Sequence, residues 1–218
     1  MFDTFVTIPI QHALTFCYVL TQKMGYPSYG IAIILLTVAI KIILYPLTVK
    51  QVKSMKAIQD MQPKVKALQE KYKDNKEKLQ TEIAALYKQN NVNPLSGCLP
   101  LIVQMPILMG IFFAIREYQY EGPTNFLWIA NLQQGTSISD PSDPYFIIPL
   151  LCAVTTYLQQ KQTTTEMTQQ NKMMLMFMPL FIGYITITFP AGLGIYWVVS
   201  NLAQILQQWF MYRKPAKV

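Results

Sequence analysis

Charge is scarce in this chain. Only 13% of its 218 residues are Asp, Glu, Lys or Arg, about half the share of roughly 25% usual in a soluble domain. With 52% hydrophobic and 12% aromatic residues, it is too apolar for a disordered polyelectrolyte. His12 is the sole histidine, which excludes HExxH and most histidine-based catalytic constellations. Cys17, Cys98 and Cys152 are widely separated among apolar neighbours, so neither a zinc site nor a disulfide framework is supported. No P-loop, GxSxG motif or carboxylate dyad within an apolar run occurs. The chain is therefore expected not to be an enzyme and to hold no cofactor or metal.

The charges that exist are segregated. Ten lysines (50, 53, 56, 64, 66, 71, 73, 76, 78 and 88) fall between Pro46 and Asn93. Residues 24–49 carry one charge, Lys41, while 89–115, 144–160 and 173–212 carry none. About 20 apolar residues at about 1.5 Å per residue cross a hydrocarbon core of about 30 Å, so these runs predict a polytopic membrane protein. The last run is interrupted by Phe189-Pro190-Ala191-Gly192, and Pro with Gly punctuates helices. It reads as two spans joined by a tight turn.

Five spans result, at 24–49, 94–116, 144–160, 173–189 and 190–212. The preceding segment, 1–23, has Phe2, Phe5, Val6, Ile10, Ala13, Leu14 and Cys17 at helical spacing among polar residues. That pattern predicts an interfacial amphipathic helix. Between the first two spans, Val52, Met55, Val65, Leu68 and Tyr72, then Leu79, Ile83, Leu86 and Tyr87, recur by threes and fours. Residues 50–93 should form a basic hairpin of two amphipathic helices, about 20 and 15 residues long.

Lysine asymmetry sets the expected orientation. Placing 50–93, the 161–172 loop and the 213–218 tail in the cytoplasm gives that side fifteen cations; Lys23 and Arg116 alone fall outside. The amino terminus and the 117–143 loop are then extracytoplasmic, and the carboxyl terminus cytoplasmic.

Lys41 does not fit this segregation. It lies nine residues before Lys50, about 13 Å along a helix, inside the apolar slab on its cytoplasmic half. A cation there costs at least about 2.5 to 3.5 kcal/mol and usually faces a bundle interior or a watery cavity. No Asp or Glu shares the slab with it. Its charge must be met by water, by neutral polar groups or by something arriving from outside the protein. Thr37, Tyr45, Gln104, Thr155, Thr156, Gln159, Tyr196, Trp197, Ser200, Asn201 and Gln204 supply suitable polar lining at helical spacing. Burying them against water or one another costs less than exposing them to lipid, so a shared hydrophilic groove is expected. Met167, Met173, Met174, Met176 and Met178 bracket the start of the fourth span. They suit either gap-filling in helix packing or varied apolar partners.

These residues occur in an order that resembles the YidC/Oxa/Alb membrane protein insertases over nearly the whole chain. The resemblance rests on Lys41 followed by Tyr45-Pro46-Leu47-Thr48, the lysine-rich hairpin, and Asn93-Pro94-Leu95-Ser96-Gly97-Cys98-Leu99-Pro100 before Gln104-Met105-Pro106. Its most specific part is Phe189-Pro190-Ala191-Gly192-Leu193-Gly194-Ile195-Tyr196-Trp197, then Asn201. It implies an all-α, multi-pass protein of the bacterial cell membrane, with five helices around a groove open to cytoplasm and lipid. It implies an insertase and chaperone for nascent membrane proteins, with Lys41, Gln104, Tyr196 and Trp197 meeting substrate. Lys41 stands where the family usually has arginine, which keeps the charge but not the planar bidentate fork.

The short segment before the first span resembles the short Gram-positive type of the family, and the brief tail lacks a long basic ribosome-binding extension. The hairpin is then the expected docking surface for ribosome, targeting factors or the Sec translocon; no direct nucleic-acid site is predicted. A small anion transporter or channel, with Lys41 as its selectivity charge, is the rival reading. The absence of an inverted repeat and of paired broken helices counts against it.

Overall fold

The computed structural model describes residues 3–90, 92–93, 99–135, 146–164 and 169–213. Pro94 to Cys98 of the second-span motif, Met167, and the tail from residue 214 lie outside them. The described residues form a π-helical turn, Asp3–Thr7, and eight α-helices. In chain order these are α1 (Ile8–Lys23), α2 (Tyr29–Ile43), α3 (Tyr45–Lys71), α4 (Lys76–Gln89), α5 (Leu99–Glu117), α6 (Ile147–Thr163), α7 (Gln169–Thr186) and α8 (Ala191–Arg213). Among the described residues there is no β-strand beyond isolated bridges.

Local chemistry sets several helix ends. Gly25, at φ +83°, supplies the left-handed residue that stops α1, and the Tyr26 N–H then donates to Thr21 O at 3.0 Å, as in a Schellman-type end. The Ser28 hydroxyl accepts the Ile31 N–H to start α2, and Asn75 Oδ1 accepts the Lys78 N–H at 3.0 Å to start α4. Each side chain satisfies a donor that the first helical turn leaves without an intrahelical partner.

The first long apolar helix bends where periodicity alone predicts continuity. α2 and α3 meet at 66° around Leu44. Pro46 cannot donate to Ile42 O, and its ring crowds that carbonyl, so a new helix begins at Tyr45 with proline in its first turn. The first arm of the basic hairpin is therefore 27 residues long, against 14 in α4. At the hairpin tip the ammonium groups of Lys71 and Lys78 lie 5.3 and 5.4 Å from the centre of the Tyr72 ring. No single described helix is both long and apolar enough to cross a membrane by itself; the bent α2–α3 pair meets that standard by length and composition.

The apolar core sits away from the lysine-rich α3–α4 hairpin, which contributes no residue to it. Leu14 and Cys17 of α1, Ile33 and Leu36 of α2, Ile111 and Ile115 of α5, Cys152 of α6 and Leu193 of α8 are buried together. The loop after α5 closes this end. Its Ile129 and Leu132 enter the core, and its Gln134 and Leu132 carbonyls accept the Ala191 and Gly192 N–H groups at 2.8 and 2.9 Å. Those are the first two amides of α8, which no intrahelical carbonyl can reach. Glycine at 192 permits the approach, because a Cβ there would stand 3.2 Å from Leu132 O and 3.1 Å from Ile33 Cδ1. Gly194 does the same for α6: a Cβ would collide with the Ile148 side chain.

Tyrosines complete the seal. Tyr18 and Tyr29 stack at 3.8 Å between ring centres, and Tyr118 and Tyr120 meet Tyr29 edge-on at 5.6 and 4.6 Å. The Tyr29 hydroxyl accepts the Glu121 N–H at 3.1 Å.

Candidate functional site: a polar stripe on α8

At about 100° per residue, Tyr196, Ser200, Gln204, Trp197, Gln208 and Asn201 occupy one continuous arc of α8. Three other helices meet this arc with polar groups. From α2, Lys41 Nζ donates to Gln204 Oε1 at 3.3 Å. From α5, Gln104 Nε2 donates to the Tyr196 hydroxyl at 2.5 Å. From α6, Thr156 Oγ1 accepts the Trp197 Nε1–H at 3.0 Å. All three helix-to-helix bonds are between side chains, so sequence sets them directly.

Asn201 joins the α6 side of this arc. Its carboxamide lies best with Oδ1 facing Trp197 Nε1 at 3.2 Å and the Thr156 amide at 3.3 Å, because both of those groups can only donate. Thr155 Oγ1 meanwhile returns its own hydrogen to Leu151 O at 2.7 Å. Interhelical polar contacts of this kind contribute about 0.6 kcal/mol on average and up to about 1.7 kcal/mol. Asn201→Leu should therefore lower stability by about 1 kcal/mol in detergent, read as a Tm shift of roughly 2 to 4 °C. An unchanged Tm would show that the network does not hold α6 to α8.

The four residues singled out from sequence do not share one contact. Gln104 and Tyr196 bond each other. Lys41 joins the same stripe two turns along α8 through Gln204, while the Trp197 indole turns toward α6. Lys41 is half-buried, and its hydrogen-bond partner is a neutral amide. An ammonium has three donors, and the neutral Gln204 amide supplies no opposite charge to it. Of the remaining lining residues, Thr37 is buried and bonds its own helix at Ile33 O, and Tyr45 is exposed beyond the bend.

Sequence reasoning passed over Gln51, Gln207 and Gln208. Gln208 is fully buried and Gln51 is 5% exposed. The available signal was the spacing of Gln204, Gln207 and Gln208, which sets three carboxamides on one side of a helix drawn from the uncharged run 173–212.

Among the described residues the bundle is helical, with Lys41 facing a polar stripe, an arrangement in keeping with one class, the helical membrane proteins. The sequence profile of the 60Kd inner membrane protein family matches residues 19–217, and the chain belongs to that family, whose members are bacterial inner-membrane proteins. It is 40% identical over 220 residues to the membrane protein insertase MisCA of Bacillus subtilis strain 168, covering 98% of this chain and 79% of that protein. It is 44% identical over 187 residues to membrane protein insertase YidC 1 of Listeria monocytogenes serotype 4b strain F2365, covering 83% of this chain and 62% of that protein. A crystal structure of an active YidC insertase with its first transmembrane domain resolved superposes with a TM-score of 0.72 at 28% identity. That match covers 98% of this chain and 47% of the crystallised one. The chain thus spans about six-tenths of the Listeria relative and about half of the crystallised protein.

Proposed function

We propose that this chain is a membrane protein insertase that passes short hydrophilic tails, and the apolar segments attached to them, from the cytoplasm into the bilayer. The observation that carries this reading is Lys41, a cation on an apolar helix whose hydrogen-bond partner is the neutral Gln204. Names given to relatives at 40 and 44% identity support it. In this reading α2, α5, α6, α7 and α8 cross the membrane and enclose a hydrophilic groove. The lysine-rich end faces the cytoplasm, and the end closed by the tyrosines and the 117–135 loop faces outward.

The mechanism needs no nucleotide. Polar groups along α8 and water beside them let a hydrophilic tail enter part of the slab without crossing its full hydrocarbon thickness. Lys41 attracts acidic residues of that tail, and Gln204 holds the ammonium until they arrive. The attached apolar segment then moves laterally into lipid, driven by about 25 cal/mol per Å² removed from water. An outside-positive potential assists an acidic tail by about 2.3 kcal/mol per charge per 100 mV. The basic hairpin α3–α4 receives nascent chains, with ribosome, targeting factors or the Sec translocon as docking partners.

Purified protein in vesicles should raise protease-protected insertion of a single-span substrate with a short acidic tail severalfold over protein-free vesicles. Small-anion flux without insertion would instead support a transporter or channel and end the insertase reading.

A further inference from the structure

We infer that α1, with the Asp3–Thr7 turn before it, is a wedge sunk into the outer leaflet, which closes the seam between α2 and α5 there and stays in place while a substrate passes. The inference rests on the orientation given by the insertase reading and specifies where along the bundle an apolar segment can meet lipid. Two contacts set the path of α1 beside α5. The Thr15 and Tyr118 hydroxyls lie 2.7 Å apart, and Val6 and Ile10 fill the space over Gly110, where a Cβ would collide with both side chains. From Thr15 to Val6 is about 13 Å of helix and from Tyr118 to Gly110 about 12 Å, so the two run side by side in the same direction. On its other flank α1 packs against α2: Tyr18 stacks on Tyr29, and the Ser28 N–H donates to Thr21 Oγ1 at 3.2 Å. Leu14 and Cys17 join Ile33 and Leu36 of α2 and Ile111 and Ile115 of α5 in one core, which places α1 over the seam between those two helices.

Inward of these contacts the packing loosens. α5 is buried at Gly110, Ile111, Ala114 and Ile115 but at none of 102–109, and α2 has buried residues as far as Thr37 but none from 38 to 43. Six consecutive residues span every face of a helix, so no face of either is fully sealed there. Lys41 lies within this stretch, where Val38, Ile42, Ile102, Met105 and Met109 are exposed. The surroundings of α1 follow from its outward face. Phe5, Ile8, Phe16, Val19 and Leu20 are exposed on the side opposite Leu14 and Cys17, and His12 is the one exposed titratable group among them. Gln22 and Lys23 gather at the outer end, where Tyr26 and Trp128 are also exposed, residue types that favour a membrane–water interface. An interfacial helix, the arrangement expected from sequence, turns a polar face to water; one that is apolar on both sides belongs inside a protein or a bilayer. Acyl chains of the outer leaflet are therefore what covers this face, to about 12 Å inward of Tyr118, close to half of a hydrocarbon core of about 30 Å.

The test uses the full chain in vesicles of phosphatidylglycerol and phosphatidylethanolamine. A Cβ at Gly110 would stand 3.7 Å from Val6 Cβ, within the range a disulfide needs. Val6→Cys with Gly110→Cys should therefore oxidise to a 6–110 bridge, identified by mass spectrometry. The bridged protein should insert a single-span substrate within twofold of its reduced form. Separately, a benzophenone amino acid in place of Phe5 or Phe16 should, on illumination, add to lipid acyl chains, nearer the chain ends from position 5. Absence of the bridge, headgroup adducts from position 5, or a more than twofold loss of insertion on oxidation that reduction restores would overturn the wedge. If the unsubstituted protein inserts no substrate, the insertase reading falls, while the bridge and the adducts still decide where α1 lies.

Discussion

Lys41→Ala is expected to reduce insertion of a substrate with an acidic tail by roughly ten- to a hundredfold, while a matched neutral-tailed substrate changes little. A hydrogen bond to a charged group contributes about 1.5 to 3 kcal/mol, and each 1.4 kcal/mol is about a factor of ten. Lys41→Glu should do worse than alanine, since it replaces attraction with repulsion at the same point. Lys41→Arg should insert as well as the parent protein or better, because the guanidinium keeps the charge and adds a planar fork that engages a carboxylate at two points. Protease protection in reconstituted vesicles measures all three. Equal insertion by the four proteins would remove Lys41 from the mechanism.

The second large effect belongs to the opposite end. Tyr29 is 1% exposed, stacked on Tyr18, flanked by Tyr118 and Tyr120, and bonded to the Glu121 amide. Truncating a buried aromatic to alanine costs about 3 to 5 kcal/mol, so Tyr29→Ala should lower the Tm in detergent by about 10 °C. Tyr29→Phe retains the ring contacts and leaves one amide short of a partner, a loss of about 1 kcal/mol. A Tyr29→Ala protein that melts with the parent would show that the tyrosine cluster does not hold α1, α2 and the 117–135 loop together.

The helical class and the family were legible in the sequence because both depend on local features. The charge-free runs and the Phe189 to Trp197 motif each fit within a short window. The bend at Leu44 was less legible, since apolar spacing continues through Ile42, Ile43 and Leu47 and only Pro46 signals a break. Lys41 drew notice as a charge where none belongs, but its partner Gln204 lies 163 residues away, and several amides were equally plausible by spacing. Trp197 stood beside Tyr196 in the motif. Adjacent residues on a helix point about 100° apart, and so the two side chains meet different helices. Gln51 and Gln208 were overlooked because glutamine in a polar-looking helix end draws no attention until its burial is known.

The backbone bonds from Gln134 and Leu132 to the start of α8 have a mechanical consequence. They pin that helix at one end, and its 23 residues extend about 34 Å from the pin. Gln204 lies about 20 Å along this lever, so a tilt of roughly 10° displaces it by about 3.5 Å. That is comparable to the 3.3 Å separating it from Lys41. A small rotation about that fixed end would therefore separate Gln204 from Lys41 while leaving the Ala191 and Gly192 bonds in place.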